Sequence, residues 1–96
     1  MLAARGVPPA ACALCRRPLG RKVEWHHRVP KSQGGTETVP VHPICHRTIH
    51  AYVTNADLAR DFADLDVLRM REDIARYLTW IADKPPDFHA PTRRAR

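Results

Sequence analysis

Two ligand pairs constrain this chain more than any other feature: Cys12-x-x-Cys15 and, thirty residues further on, His42-x-x-Cys45. Each pair is closed by a two-residue loop, which lets both side chains of one turn converge on a tetrahedral ion. Two such turns supply the four donors of a closed structural zinc site. With every position taken by protein, that site would build the fold and leave no place for water. The chain has only 96 residues, and a chain of that size buries roughly 60 to 70% of its unfolded surface. Zinc binding worth on the order of 10 to 16 kcal/mol is comparable with the whole stability of such a domain. Three cysteines cannot all pair within one chain, which favours ligation over a disulfide framework. Two other readings of the same residues remain open at this level. His46 or His50 replaces His42 as the fourth ligand, or the three thiols are unrelated and simply buried.

Hydrophobic residues at 44% and charged residues at 27% match a folded soluble protein and exclude a wholly disordered chain. No apolar run approaches the roughly 20 residues that cross a bilayer, and the first residues make too short a stretch for a signal peptide. The expectation is a cytoplasmic protein with no membrane partner. The formal charge of +6 is unevenly distributed: residues 1–50 hold eight basic groups against Glu24 and Glu37, whereas 51–96 carry eight of each sign. The basic half is also the half with the cysteines and five of the six histidines. A polyanion suits that half, and a merely solvated basic surface is the plain alternative.

The punctuation divides the chain into a flexible leader (1–9), a zinc-stapled core (10–53), a helical extension packing on it (54–84) and a basic tail (85–96). Lys22-Val-Glu-Trp-His26 reads as a short extended run, and Pro30 with Gly34-Gly35 forbids a long element before a second short strand near Val39. Pro43 suits the first turn of a helix running through Val53. Leu58, Phe62 and Leu65, then Ile74, Tyr77, Leu78 and Ile81, recur at helical spacing, with Asn55 and Asp66 or Asp73 as caps. Trp80, Leu68 and Met70 are expected to add core volume, as is Trp25. His89 has no partner within any motif and reads as a surface residue.

A second constellation lies outside the zinc pairs. His46 and His50 are four apart on the predicted helix and share one face, so they can grip another ion together. His26-His27 ends the extended run, where consecutive side chains face opposite ways; one imidazole can join that ion while the other stays free to deprotonate a water.

These residues carry a resemblance. Trp25-His-His-Arg-Val-Pro-Lys-Ser-Gln-Gly-Gly35, followed by Val39-Pro-Val-His-Pro-Ile-Cys-His-Arg-Thr-Ile-His50, resembles the motif of HNH endonucleases with the zinc knuckles that many members carry, over about residues 12–50. The resemblance implies a small α+β fold: a ββα-metal, treble-clef-like finger stapled by zinc and followed by short C-terminal helices. It implies His27 as general base, His26, His46 and His50 as ligands of one catalytic divalent ion, and Cys12, Cys15, His42 and Cys45 around the structural zinc. The catalytic ion would be Mg2+ or Mn2+, with Ni2+ or Zn2+ as further candidates. DNA is the implied substrate, cut at its phosphodiester bonds, and the chain would act as a monomer or weak dimer. Arg28, Lys31 and Arg47 flank the site as candidate phosphate contacts, each equally well explained as a solvated charge.

One position departs from the family. Where the family has its central Asn, this sequence has Glu37, which can brace the base-bearing loop by accepting a hydrogen bond but, when ionised, not by donating one; Thr36 or Thr38 are alternatives. The competing functional class is a zinc-stabilised nucleic-acid-binding module without cleavage. A third is a protein-interaction domain built on the charge-balanced helices of residues 55–84.

Overall fold

The structure, a computed structural model, describes residues 10–92; the expected leader 1–9 and the last four residues of the tail lie outside the described residues. The architecture is a small α+β fold with one two-stranded sheet and four helices. In chain order these are β1 (Glu24–His27), a single 3-10 turn (Lys31–Gln33), β2 (Thr38–Val41), α1 (Pro43–Tyr52), α2 (Asn55–Arg60), α3 (Leu65–Met70) and α4 (Glu72–Ile81). No helix among the described residues is long and apolar enough to cross a membrane.

The two strands are antiparallel, with His26 opposite Val39 and His27 opposite Thr38. The loop between them is drawn tight at Pro30, whose carbonyl accepts from both the Gln33 and the Gly35 amides. Gly34 follows in the left-handed region at φ 88°, and a Cβ on Gly35 would collide with the Val29 carbonyl. Only glycine serves at both positions. Pro43 opens α1 as its fixed φ and missing N–H allow.

Residues 10–19 form the first knuckle. Arg16 takes a left-handed backbone conformation (φ 67°) to close it, held by its amide on the Cys12 carbonyl at 2.9 Å and by its guanidinium against Asp66 at 3.1 Å. The knuckle is tied to the sheet by the Ala13 amide on Pro40 and to α3 by Arg69 on the Ala13 carbonyl. Arg17, only 8% exposed, donates to the carbonyls of Lys84 and Pro85 just past α4. Thus the knuckle is clamped from the C-terminal half as well as by its own turn.

The core gathers Leu14 from the knuckle, Val41 from β2, Ile44 and Ile49 from α1, Leu58, Leu68, and Ile74 and Ile81 from α4. Each such side chain contributes roughly 1.5 to 3 kcal/mol by leaving water. The helical periodicities hold, but the first is split: Leu58 and Leu65 belong to separate helices broken at 61–64. The caps differ from expectation by one or two residues. Thr54 caps α2 by accepting from the Asp57 amide, and Asp64 caps α3 by accepting from Asp66; Asn55 and Asp66 are already inside. Asp73 lies in the first turn of α4, where it accepts from the Ile74 amide and from Arg71.

Three expected core residues are at the surface instead: Trp25 is 51% exposed, Trp80 46% and Met70 80%. In β1 the buried phase is that of His26, so the pleat turns Trp25 outward. Ile74 and Ile81 take the inward stripe of α4, leaving Trp80 on its flank against the rings of Tyr77 and Phe88. Met70 ends α3 after Leu68 has taken the core position.

Candidate metal centres

The first centre joins the knuckle to the start of α1. One donor atom each from Cys12, Cys15, His42 and Cys45 lies within 4.8 Å of every other, close to the span of four donors on one ion with bonds of about 2.0 to 2.3 Å. His42 is the fourth member, not His46 or His50, because of how its ring is held. Its Nε2 donates to the Pro18 carbonyl at 2.8 Å, leaving the Nδ1 lone pair 3.3 Å from Cys15 Sγ and 3.8 Å from Cys45 Sγ. That outer hydrogen bond fixes the tautomer a ligand requires.

The thiols already share charge. Hydrogen bonds from Cys15 and then Cys45 pull the Cys12 thiol well below its ordinary range, and as donors to Cys12 the other two are pushed up. A divalent ion relieves that competition, since a coordinating thiol is deprotonated outright. The donor set is soft, buried and complete, and it suits a structural metal such as zinc. Cys45 has one more neighbour, the Tyr77 hydroxyl of α4 at 3.1 Å. Sequence reasoning assigned Tyr77 to packing alone, and nothing local to residue 77 announces its contact with a thiol.

The second cluster lies between the sheet and the outer face of α1. His46 and His50, one turn apart, face His26 of β1, and one ring nitrogen from each of the three lies within 4.8 Å of the others. Ring centroids are 4.9 to 5.5 Å apart with interplanar angles of 61° to 75°, so the rings meet edge to face instead of stacking. His26 is 0% exposed, and neither of its ring nitrogens has a hydrogen-bond partner among the described residues. Leaving a buried polar group unsatisfied costs about 1 to 3 kcal/mol. Burial, then the neighbouring His46 and His50, push the His26 pKa down to about 4; burial lowers His50 as well. Both are therefore biased toward the neutral imidazole, the form that ligates metal.

Sequence reasoning missed Glu24. Its Oε1 accepts from His46 Nδ1 at 2.9 Å. The signal was available, since Glu24 stands two residues before His26 and so shares its strand face.

Relatives put this geometry in context. The chain is 36% identical over 86 residues to the uncharacterized protein YisB of Bacillus subtilis (strain 168), an alignment that covers 88% of this chain and 85% of that protein. The chain belongs to the YisB family. No family model matches it, and no solved structure does.

In this YisB-family chain the other site candidates are spread around the histidine cluster. His27 follows His26 in β1, half-buried and on the alternate phase of the pleat, near enough to add to the positive potential at His26. It is not among the three clustered histidines. Arg28 is turned onto the protein, donating to the Ala63 carbonyl and to Glu37 Oε1, each at 3.1 Å. Glu37 also accepts the Arg28 amide on its own backbone carbonyl, extending the hairpin ladder one step past His27. Glu37 thus touches the loop after His27 through Arg28. Lys31 is exposed in the 3-10 turn. Arg47 is exposed on α1 and donates to the His89 ring at 3.0 Å, so His89 has a partner that its place after the double proline did not reveal.

Proposed function

We propose that this chain is a metal-dependent endonuclease of the HNH type that hydrolyses DNA phosphodiester bonds. In this reading β1, β2 and α1 form a ββα-metal finger stapled by zinc. The observation that carries the proposal is the buried His26 imidazole, its two nitrogens unpartnered among the described residues and one of them within 4.8 Å of a ring nitrogen of each of His46 and His50. An interior that leaves such a ring without a hydrogen bond is explained by a cation that the three histidines hold. Three protein donors, unlike the closed four of the other centre, keep positions for phosphate and water.

His26, His46 and His50 would hold the divalent ion, Mg2+ or Mn2+ first among the candidates. Bound there, the ion supplies charge neutralisation at the attacked phosphate and at the leaving 3′-oxygen. His46 donates a hydrogen bond from Nδ1–H to Glu24 and keeps Nε2 as the lone-pair nitrogen, so the carboxylate holds the ligand in its working tautomer. His27, adjoining the ligand His26 but outside the cluster, takes the proton from the attacking water. The ladder bond from Arg28 to Glu37 fixes the end of β1 and with it the backbone of His27.

A plasmid-nicking assay with added Mg2+ or Mn2+, comparing the parent with His27→Ala, tests this. His27→Ala is expected to lose about 10²- to 10⁴-fold in rate while keeping zinc and DNA binding. Equal background from both proteins would reject the enzyme and leave a zinc-stabilised nucleic-acid-binding module.

A further inference from the structure

A notch of about 390 Å³ adjoins the histidine cluster where the segment after α4 crosses back over the start of α1. Its rim carries Arg21 and Lys22 from the approach to β1, Arg47 from α1, and Phe88 and His89 from the crossing segment. Glu24 links the two sites, since it lines the notch and also accepts from His46.

Three cations of the basic half are already engaged. Arg16 pairs with Asp66, Arg28 pairs with Glu37, and Arg17 is buried against backbone carbonyls. Arg21, Lys22 and Arg47 differ. No carboxylate of the described residues pairs with any of the three side chains, and Arg47 bonds only the His89 ring. The notch holds two acids, but both are occupied: Asp87 accepts the Arg21 amide at 2.6 Å, and Glu24 is bound to His46. Three cations and two carboxylates therefore line one concavity, the cations in excess by one and none of them ion-paired to those acids, and His89 adds a fourth donor position at its wall.

We infer that this notch seats a backbone phosphate of the DNA strand beside the position to be cut, held by Arg21, Lys22 and Arg47. The half-buried ring of Phe88 forms an apolar wall for the attached sugar or base. The inference rests on the nuclease reading for its substrate but not for its geometry. Arg47 is adjacent to His46 in α1, so a strand engaged in the notch continues directly past the three histidines. The crossing segment becomes part of the binding surface, with His89 steadying Arg47.

The test is anisotropy of a short fluorescein-labelled single-stranded DNA with the zinc-loaded chain, without added Mg2+ or Mn2+, across a salt series. Arg21, Lys22 and Arg47 are exposed, so their alanine variants keep the fold. Arg21→Ala/Lys22→Ala is expected to bind about tenfold more weakly, with a log–log salt slope shallower by about 0.7, the loss of one phosphate contact on a single strand. Arg60→Ala/Arg76→Ala, the same charge loss on α2 and α4, should stay within about twofold. Equal losses from both double variants would overturn the notch in favour of net charge alone, as would a parent that does not bind the DNA. Nicking separates this from the larger proposal. A parent that binds through the notch but never nicks removes the nuclease and leaves the notch. A notch variant that nicks with unchanged KM removes the notch and leaves the nuclease.

Discussion

Glu24 Oε1 and His46 Nδ1 lie 2.9 Å apart, joining β1 to α1 across the face on which His26 is buried. The pair is partly exposed, so its worth as an ion pair is small. Its consequence is directional: it sets which nitrogen of His46 carries the proton and which keeps the lone pair.

Glu24→Gln is therefore expected to weaken divalent-ion binding at the histidine cluster by about 10- to 100-fold, with the zinc content unchanged. Calorimetric titration of the zinc-loaded chain with Mn2+ measures it. Parent-like affinity in the variant would reduce Glu24 to a surface charge.

The four-donor centre gives a sharper contrast. His42→Ala should lose the tightly held zinc and most of the helical circular dichroism, because that ion closes the knuckle onto α1. His46→Ala and His50→Ala should each retain one zinc per chain. Retention of zinc by His42→Ala, measured by elemental analysis, would return the fourth position to one of the other two histidines.

Tyr77 touches the same centre from α4. Against a metal-bound thiolate its hydroxyl can only donate, and hydrogen bonds to charged groups are worth about 1.5 to 3 kcal/mol. Tyr77→Phe should then hold zinc at least about tenfold less tightly in competition with a chromogenic chelator, with the helices intact. An unaltered zinc affinity would confine Tyr77 to packing.

His26 makes stability depend on pH when the histidine cluster holds no ion. Burial lowers its pKa from 6.5 to about 4, so between those values the unfolded chain binds a proton that the native chain does not. Stability is complete above about pH 6.5, falls as the pH drops toward 4 and levels off below, by about 3 kcal/mol at most. His26→Leu lacks this proton. Urea unfolding of both chains should therefore show the parent losing ground to the variant across that window. The acid sensitivity of the zinc site is common to both and cancels. A constant difference from pH 7 to pH 4 would contradict the assigned burial.

Much of this was legible in the sequence for a local reason. The spacings C-x-x-C and H-x-x-C, Pro43 at a helix start, and two histidines one turn apart each fix geometry within a few residues. Knuckle, hairpin and α1 therefore fall within a residue or two of where their pattern puts them. The caps Thr54 and Asp64 were missed narrowly, because several polar residues compete in each place and only the final turn geometry chooses among them.

The sequence alone determined which residues could meet: four soft or imidazole donors in two turns, and histidines on one strand end and one helix face. Periodicity acts through the backbone and needs no distant partner. Tertiary structure decided which groups faced inward and who stood behind them. It turned His26 in and Trp25 out, brought Tyr77 to Cys45 across 32 positions, and laid His89 on Arg47 across 42. Those choices depend on how separate elements share a small core, and no local spacing records that.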